Sequence, residues 1–323
     1  MNQEGLVYAF IFDGAGGARQ IGWEEIRSWE PEQGPIWIHL DFTSEYACKW
    51  VQEESKLDEI AAGALLSEET RPRTTLMDDS ALLSLRGVNL SPGSDPEDMV
   101  SIRIWLDKHR IISTRRRTLL SVSDMVSSFK SQNGPKTTGE FLADFTGRLT
   151  ARMEGVVAEL EDRAAQLEED VLTAGSHALR SEISGIRRET IMLRRYLAPQ
   201  REAMIKLYTE KIGWLEDNDR MRMREITDQL IRHIEDLDSI RDRASVTQEE
   251  LVNKLSEQMN SRMYVLSLVA ALFLPLGFFT GLLGINVGGI PGAENRWGFF
   301  IFILILVAIL LVQATIFKKK KWL

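Results

Sequence analysis

The sequence has a single cysteine, Cys48, among 323 residues, so no disulfide framework holds it together. Histidine is nearly as scarce. His39, His109, His177 and His233 are scattered and lack the paired spacing of a Cys/His zinc cage. The first 30 residues carry Glu4 and Asp13 and show no basic start followed by an apolar core, so no secretory leader is expected. Basic charge falls short over most of the chain: residues 1–262 hold 34 Lys/Arg against 46 Asp/Glu, a net of −12. An acidic body excludes a nucleic-acid binder, which needs a basic footprint. Proline nearly vanishes between residues 136 and 274, where only Pro199 occurs, whereas six of the nine prolines lie in residues 31–135. Charge is absent from two long stretches, the 31 residues 263–293 and the 21 residues 297–317. The mean hydropathy of −0.14 therefore averages two unlike regions.

The two charge-free stretches decide the broad class. At 1.5 Å per residue, residues 297–317 reach about 31 Å as a helix, matching a hydrocarbon core of about 30 Å. One such run could be the core helix of a soluble protein; two in succession read as membrane spans. The link 287–296 (VGGIPGAENR) is too short for a domain, so the spans form a hairpin. Arg243, Lys254 and Arg262 precede the first span, and Lys318, Lys319, Lys320 and Lys321 follow the second. The link carries only Arg296. The positive-inside rule then puts both termini in the cytoplasm of a multi-pass inner-membrane protein. Trp297 and Trp322 suit the two interfaces of the second helix.

The remainder reads as two cytoplasmic parts. Residues 1–135 form an α/β domain, with strand-like runs at 6–13 (LVYAFIFD), 36–42 (IWIHLDF), 81–88 (ALLSLRGV), 100–106 (VSIRIWL) and 110–114 (RIIST). Asp107-Lys108-His109 joins the last two as a hairpin. Residues 136–262 are rich in Glu, Arg, Leu, Met and Ala and read as long helices, broken near 173–177 and again near 213–219. Met223, Leu230, Leu237, Ala244 and Leu251 recur every seven residues, with Ile234 and Leu255 on the neighbouring seam. That is coiled-coil-like spacing leading straight into the first span. A helix from 220 to 284 would be about 100 Å long. It is expected to be a stalk in an oligomer rather than part of one domain's core.

Steps of four and three from Glu249 pass through Asn253, Ser256, Asn260, Met263, Ser267, Ala270, Leu274, Gly277 and Gly281. This stripe is polar below the membrane and mostly small within it. Val265, Leu268, Leu272, Phe273 and Phe279, on the other side, are bulky and suit lipid or helix contacts. Small residues also gather where membrane helices pack, so the stripe reads either as packing or as the lining of a conduit. A two-helix hairpin encloses no pore, and a conduit requires several subunits about an axis.

At the end of the first span stand Gly284, Ile285 and Asn286, followed by Gly288-Gly289-Ile290-Pro291-Gly292. The Gly-Ile-Asn at this place, the two terminal helices, the Lys-Lys-Lys-Lys-Trp-Leu ending and the long stalk together resemble the CorA-type divalent-metal transporters. The likeness is sharpest over the last 60 or so residues. Magnesium members usually carry Met between the Gly and the Asn. Ile285 and the glycine-rich link instead look like the zinc branch of the family, ZntB. The resemblance implies a homopentameric funnel in the bilayer that takes up zinc together with protons. A magnesium, cobalt or nickel channel of the same family and a zinc exporter are the nearer alternatives. A membrane-anchored coiled-coil protein that transports nothing is the more distant one.

Under five-fold symmetry Asn286 would form a ring of amides at the outer mouth, accepting hydrogen bonds from the water of a hydrated cation without trapping its charge. Asn286 would equally serve as a helix C-cap. Gly284 would let the backbone leave helical geometry there. Residues 263–286 would be the pore-lining helix, and Glu294, in the 287–296 loop, would add a negative ring that concentrates cations. Met263 and Leu274 would be apolar rings able to gate by dewetting. No Cys, His, Asp or Glu lies in residues 263–293, so zinc meets no soft or charged ligand there and passes largely hydrated. A proton relay would usually need a buried carboxylate or histidine, so coupling rests on the resemblance alone.

Other features have plainer roles. Glu168-Glu169-Asp170 and Glu235-Asp236-Asp238 read as solvated helix faces. Arg115-Arg116-Arg117 follows a strand far from the spans, and Cys48 reads as a half-buried apolar residue. Gly14-Ala15-Gly16-Gly17 has no following Gly-Lys-Ser/Thr, which excludes a phosphate loop and ATP-driven pumping. No nucleophile, base and orienting acid group together, so no enzyme and no resident cofactor is expected.

Overall fold

The computed structural model describes residues 4–68, 71–173, 176, 178–284, 290 and 295–320. These fall into two units, Met1–Gln248 and Glu249–Leu323.

The first unit is built on one mixed sheet of seven strands. In chain order they are β1 (Leu6–Phe12), β2 (Ala18–Gln20), β3 (Ile36–Asp41), β4 (Arg73–Met77), β5 (Ser80–Gly87), β6 (Val100–Leu106) and β7 (Arg110–Arg115). They lie side by side as β2-β1-β3-β7-β6-β5-β4. Only β3 and β7 pair in parallel, with Ile38 opposite Ile112 and His39 opposite Ser113. Side chains alternate between the faces, and both faces are covered, so the central strands are apolar nearly throughout. Ile36, Ile38, Leu82, Trp105 and Ile112 pack under three short helices, α1 (Trp23–Arg27), α2 (Glu45–Lys49) and α3 (Glu59–Leu65). Trp37, Leu83, Ile102, Ile104 and Ile111 meet α4 (Leu120–Lys130) and the long helices α5 (Thr138–Thr173) and α6 (Leu179–Thr209).

The β6–β7 hairpin closes as its spacing predicts, with Asp107 N donating to Arg110 O at 3.0 Å. Five strand expectations agree with the structure to within about a residue at most ends, whereas β2 and β4 were not anticipated. Residues on either side of 135 share one core. Phe141 and Phe145 of α5 lie with Phe10, Phe12 and Trp37 of the sheet, and the Phe141 and Trp37 rings are 4.9 Å apart.

The seven-residue seam belongs to α7 (Asp217–Gly284), a single helix of 68 residues. Within the first unit Met223, Leu230, Ile234, Leu237 and Ala244 are buried by the chain itself, and Met223 joins the core under the sheet. α5 and α6 supply the cover. Each carries its own buried line, and charged side chains tie α7 to both: Arg243 binds Glu168 of α5 through 2.9 and 3.0 Å bonds, and Arg194 of α6 binds Asp238 at 2.7 Å. A heptad pattern specifies that a helix is covered but not whose helix covers it.

The second unit holds the end of α7 and α8 (Gly298–Lys319). Both pass the length and composition needed to cross a membrane, with mean hydropathies of 2.2 and 3.0 over their most apolar windows and no buried residue in either window.

Candidate ion-conduction site

All ten stripe positions from Glu249 to Gly281 lie on α7, and every one of them is exposed in the single chain. Met263 is 62% exposed and Leu274 73%. Within residues 263–284 of the same helix the partly covered positions are Leu268, Leu272, Pro275 and Leu276. At about 100° per residue these lie on the opposite face from Met263, Ala270, Leu274 and Gly281. On α8 the covered line is Phe302, Leu306, Ile309, Gln313 and Phe317. From the covered line of α8, Gln313 Nε2 donates across to Ala271 O of α7 at 3.4 Å. The stripe is thus turned away from α8. Bulky Val265, Phe273 and Phe279 are exposed as well.

Glycines in membrane helices usually mark a close approach by another helix. Here Gly277, Gly281 and Gly284 have no heavy atom of a neighbouring part of the chain within 4 Å of the place a Cβ would occupy. Their smallness is unused in one copy. Thr280, between two of them, bonds back along its own helix, with Oγ1 at 3.0 Å from Leu276 O and Gly277 O. Its hydroxyl is thereby satisfied without water. Gly284 is the last residue of α7. Ile285, Asn286 and Glu294 lie outside the described residues, as do His177 and Trp322. Sequence reasoning missed Gln313, although it is the only amide side chain in residues 297–317.

Among the described residues no group of three or more His, Cys, Asp or Glu side chains is placed to hold a metal. His39 is wholly buried in the sheet, its Nδ1 2.8 Å from Ser113 Oγ, a hydroxyl that also accepts from Trp37 Nε1. Burial, then the Arg115 charge, push its imidazole down to about 3. Burial likewise lowers His233. Cys48 is half-buried, with Sγ 3.0 Å from Phe42 O, and burial raises its thiol.

In the acidic runs Glu169, Glu235 and Asp236 are exposed as expected, whereas Glu168 and Asp238 are tied into the helix pairing described above. Arg116 and Arg117 are paired with Glu68 and Asp98. Asp13 Oδ1 accepts from Ala15 N at 2.7 Å and Gly17 N at 2.9 Å, so the glycine-rich stretch is an Asx-type turn linking β1 and β2.

Residues 32–320 match the family described as CorA-like Mg2+ transporter protein. The chain belongs to that family. It is thus a member of a family of transporters rather than of enzymes, embedded in the membrane through at least two helices. Over its full length it is 37% identical to the zinc transport protein ZntB of Pectobacterium carotovorum subsp. carotovorum (strain PC1), covering 98% of that protein. It is 38% identical to the divalent cation transporter CmaX of Pseudomonas aeruginosa, again over all of this chain and 98% of the relative. Among solved structures, full-length CmaX superposes with a TM-score of 0.87 at 37% identity, covering 100% of this chain and 99% of that one. The CorA magnesium transporter of Methanocaldococcus jannaschii shares the fold, with a TM-score of 0.84 at 17% identity over 98% and 99% of the two chains.

Proposed function

We propose that this chain is one subunit of a homopentamer that carries divalent metal cations, zinc first among them, across the inner membrane with both termini in the cytoplasm. The observation that carries this reading is the whole-chain similarity to relatives named for zinc and divalent-cation transport. A second observation supports the oligomer: a helix face that is apolar, small and uncovered in one copy, opposite the face that α8 covers.

In this arrangement residues 263–286 line the axis. Asn286 faces the outer mouth, with Gly284 and Ile285 beside it, and recognises the water around the ion. Glu294 draws cations toward the mouth. Met263 and Leu274 narrow the lumen with apolar rings, and Glu249, Asn253, Ser256 and Asn260 give the ion polar company on the cytoplasmic side. Neither charge-free stretch contains a carboxylate or histidine to relay a proton, so coupling to protons rests on the family likeness.

A broader cargo is the second reading. It is favoured by the divalent cation transporter CmaX relative and by the lack of thiolate or imidazole along the stripe, since these are what single zinc out. Purified protein in liposomes separates the two: zinc flux that exceeds magnesium, cobalt and nickel flux, and rises with an inward proton gradient, supports the first. Equal flux of all four supports the second. Mass measurement in mild detergent that finds only monomers or dimers overturns the pentamer. Asn286→Leu should abolish flux while assembly persists, and undiminished flux leaves Asn286 as a helix cap.

A further inference from the structure

Pro275 stands inside α7, which continues through it to Gly284. Proline has no N–H, so in a helix the carbonyl four residues earlier loses its donor. That carbonyl is the one on Ala271, and it is the atom that Gln313 Nε2 of α8 approaches to 3.4 Å. Both residues belong to the same unit. Gln313 falls on the partly covered line of α8, one turn from Ile309 and Phe317, so its position in the helix aims the carboxamide at α7.

Hydrocarbon offers neither group a substitute partner. An orphaned backbone carbonyl and a lone carboxamide donor are each costly in the bilayer interior, and joining them relieves both, although Gln313 Oε1 stays buried without a partner. A donor of Gln313's length on the facing helix, against the one carbonyl that Pro275 deprives, is more specific than general packing requires. We infer that Gln313 supplies the hydrogen bond that Pro275 removes, and that this bond ties α8 to α7 at the joint in the pore-side helix. Ala271 sits between Ala270 and Leu274, so the tie fixes the setting of the stripe on both sides of the joint. Gln313 is a positioning residue on the face away from the stripe. That last step rests on the transport reading, whereas the bond itself does not.

The test is a double-mutant cycle on the full chain. Gln313→Met removes the donor at nearly constant length, and Pro275→Ala gives position 275 an N–H of its own. Gln313→Met should lower the thermal unfolding midpoint in detergent by several degrees in the parent chain and leave it unmoved in Pro275→Ala, where Ala271 O already has its donor. An equal drop in both backgrounds, or none in the parent, overturns the tie. Should Pro275→Ala not assemble, a 13C=18O label at Ala271 decides: its carbonyl stretch should rise in frequency in Gln313→Met, and an unshifted band overturns the inference. In liposomes Gln313→Met should slow metal flux at unchanged oligomer mass. If no variant carries metal but the midpoints still depend on the background, the transport reading falls and the tie stands.

Discussion

Up to Gln248, the chain answers its own physical demands. Apolar strands are covered on both faces, the long helices cover one another, and Arg152, Arg194 and Arg243 each find a carboxylate on a neighbouring helix. From Glu249 onward the reverse holds. Among the described residues there, only Leu251 and Phe317 are buried, while Phe, Leu, Ile and Val side chains stand exposed along two helices. Water is a poor solvent for that surface, so the second region is made to be completed by something other than its own chain. Lipid suits its bulky positions. The small stripe suits another copy, because lipid does not require glycine.

The sharpest way to break this contrast is to make the same cut in both regions. Phe141 is 1% exposed and stacks with Phe145 at 5.9 Å; Phe273 is 66% exposed. Phe141→Ala should destabilise the first unit by about 3–5 kcal/mol, the usual cost of emptying such a site. Phe273→Ala should cost less than about 1 kcal/mol. Denaturant unfolding of the full chain in detergent, followed by tryptophan fluorescence, measures both. Comparable losses would mean that Phe273 is as tightly packed as Phe141.

Acid should act on the first unit next most strongly. His39 in the folded state titrates near 3, below the ordinary histidine value of 6.5, because burial disfavours the imidazolium. The unfolded chain therefore binds a proton that the folded chain refuses between these values. The contribution is complete above about pH 6.5 and is lost as the pH falls toward 3. His39→Gln should flatten the slope of unfolding midpoint against pH across that window. An unchanged slope would remove His39 from the acid response.

What could be read in the sequence follows the same division. The five strands found from sequence lie together in the sheet's interior, where both faces are buried and the residues run apolar. The two missed strands, β2 and β4, are its edges. Ala-Arg-Gln and Arg-Thr-Thr-Leu-Met bury little and so lack the pattern that announces a strand. The α7 seam was legible as a pattern, but periodicity carries no information on whether the covering helix is its own or a neighbour's. Similarly, the stripe of small residues was legible, whereas Gln313 was not, because its meaning depends on Ala271 and Pro275 of another helix. Asn286 and Glu294 remain readings of sequence and family.

Leu274 probes the uncovered region directly. In the proposed pentamer five leucines about an axis leave water few partners, so a narrow apolar segment should dewet and block ions. Leu274→Ser supplies hydroxyls and space, and should raise ion leak from intact pentamers severalfold. If the position only packs one helix against another, the same change loosens assembly and leaves leak unchanged. Leak and oligomer mass, measured on one preparation, separate the outcomes.

The smallest expected effect sharpens the paired side of the contrast. Arg243 on α7 grips Glu168 on α5 through two bonds and has Glu161 3.7 Å away. About a third of each of the Arg243 and Glu168 side chains is exposed, at 34% and 35%, so water screens the pair. Its coupling should be about 0.5–1 kcal/mol, near the upper end for exposed pairs because the geometry is bidentate. Arg243→Met keeps much of the aliphatic stem, so the double-mutant cycle with Glu168→Gln reports the charge and not the packing. Added salt should shrink the coupling, since it screens partly exposed charges. A coupling of zero at low salt would mean that the apolar seam alone holds α7 against α5, and that the charges merely follow it.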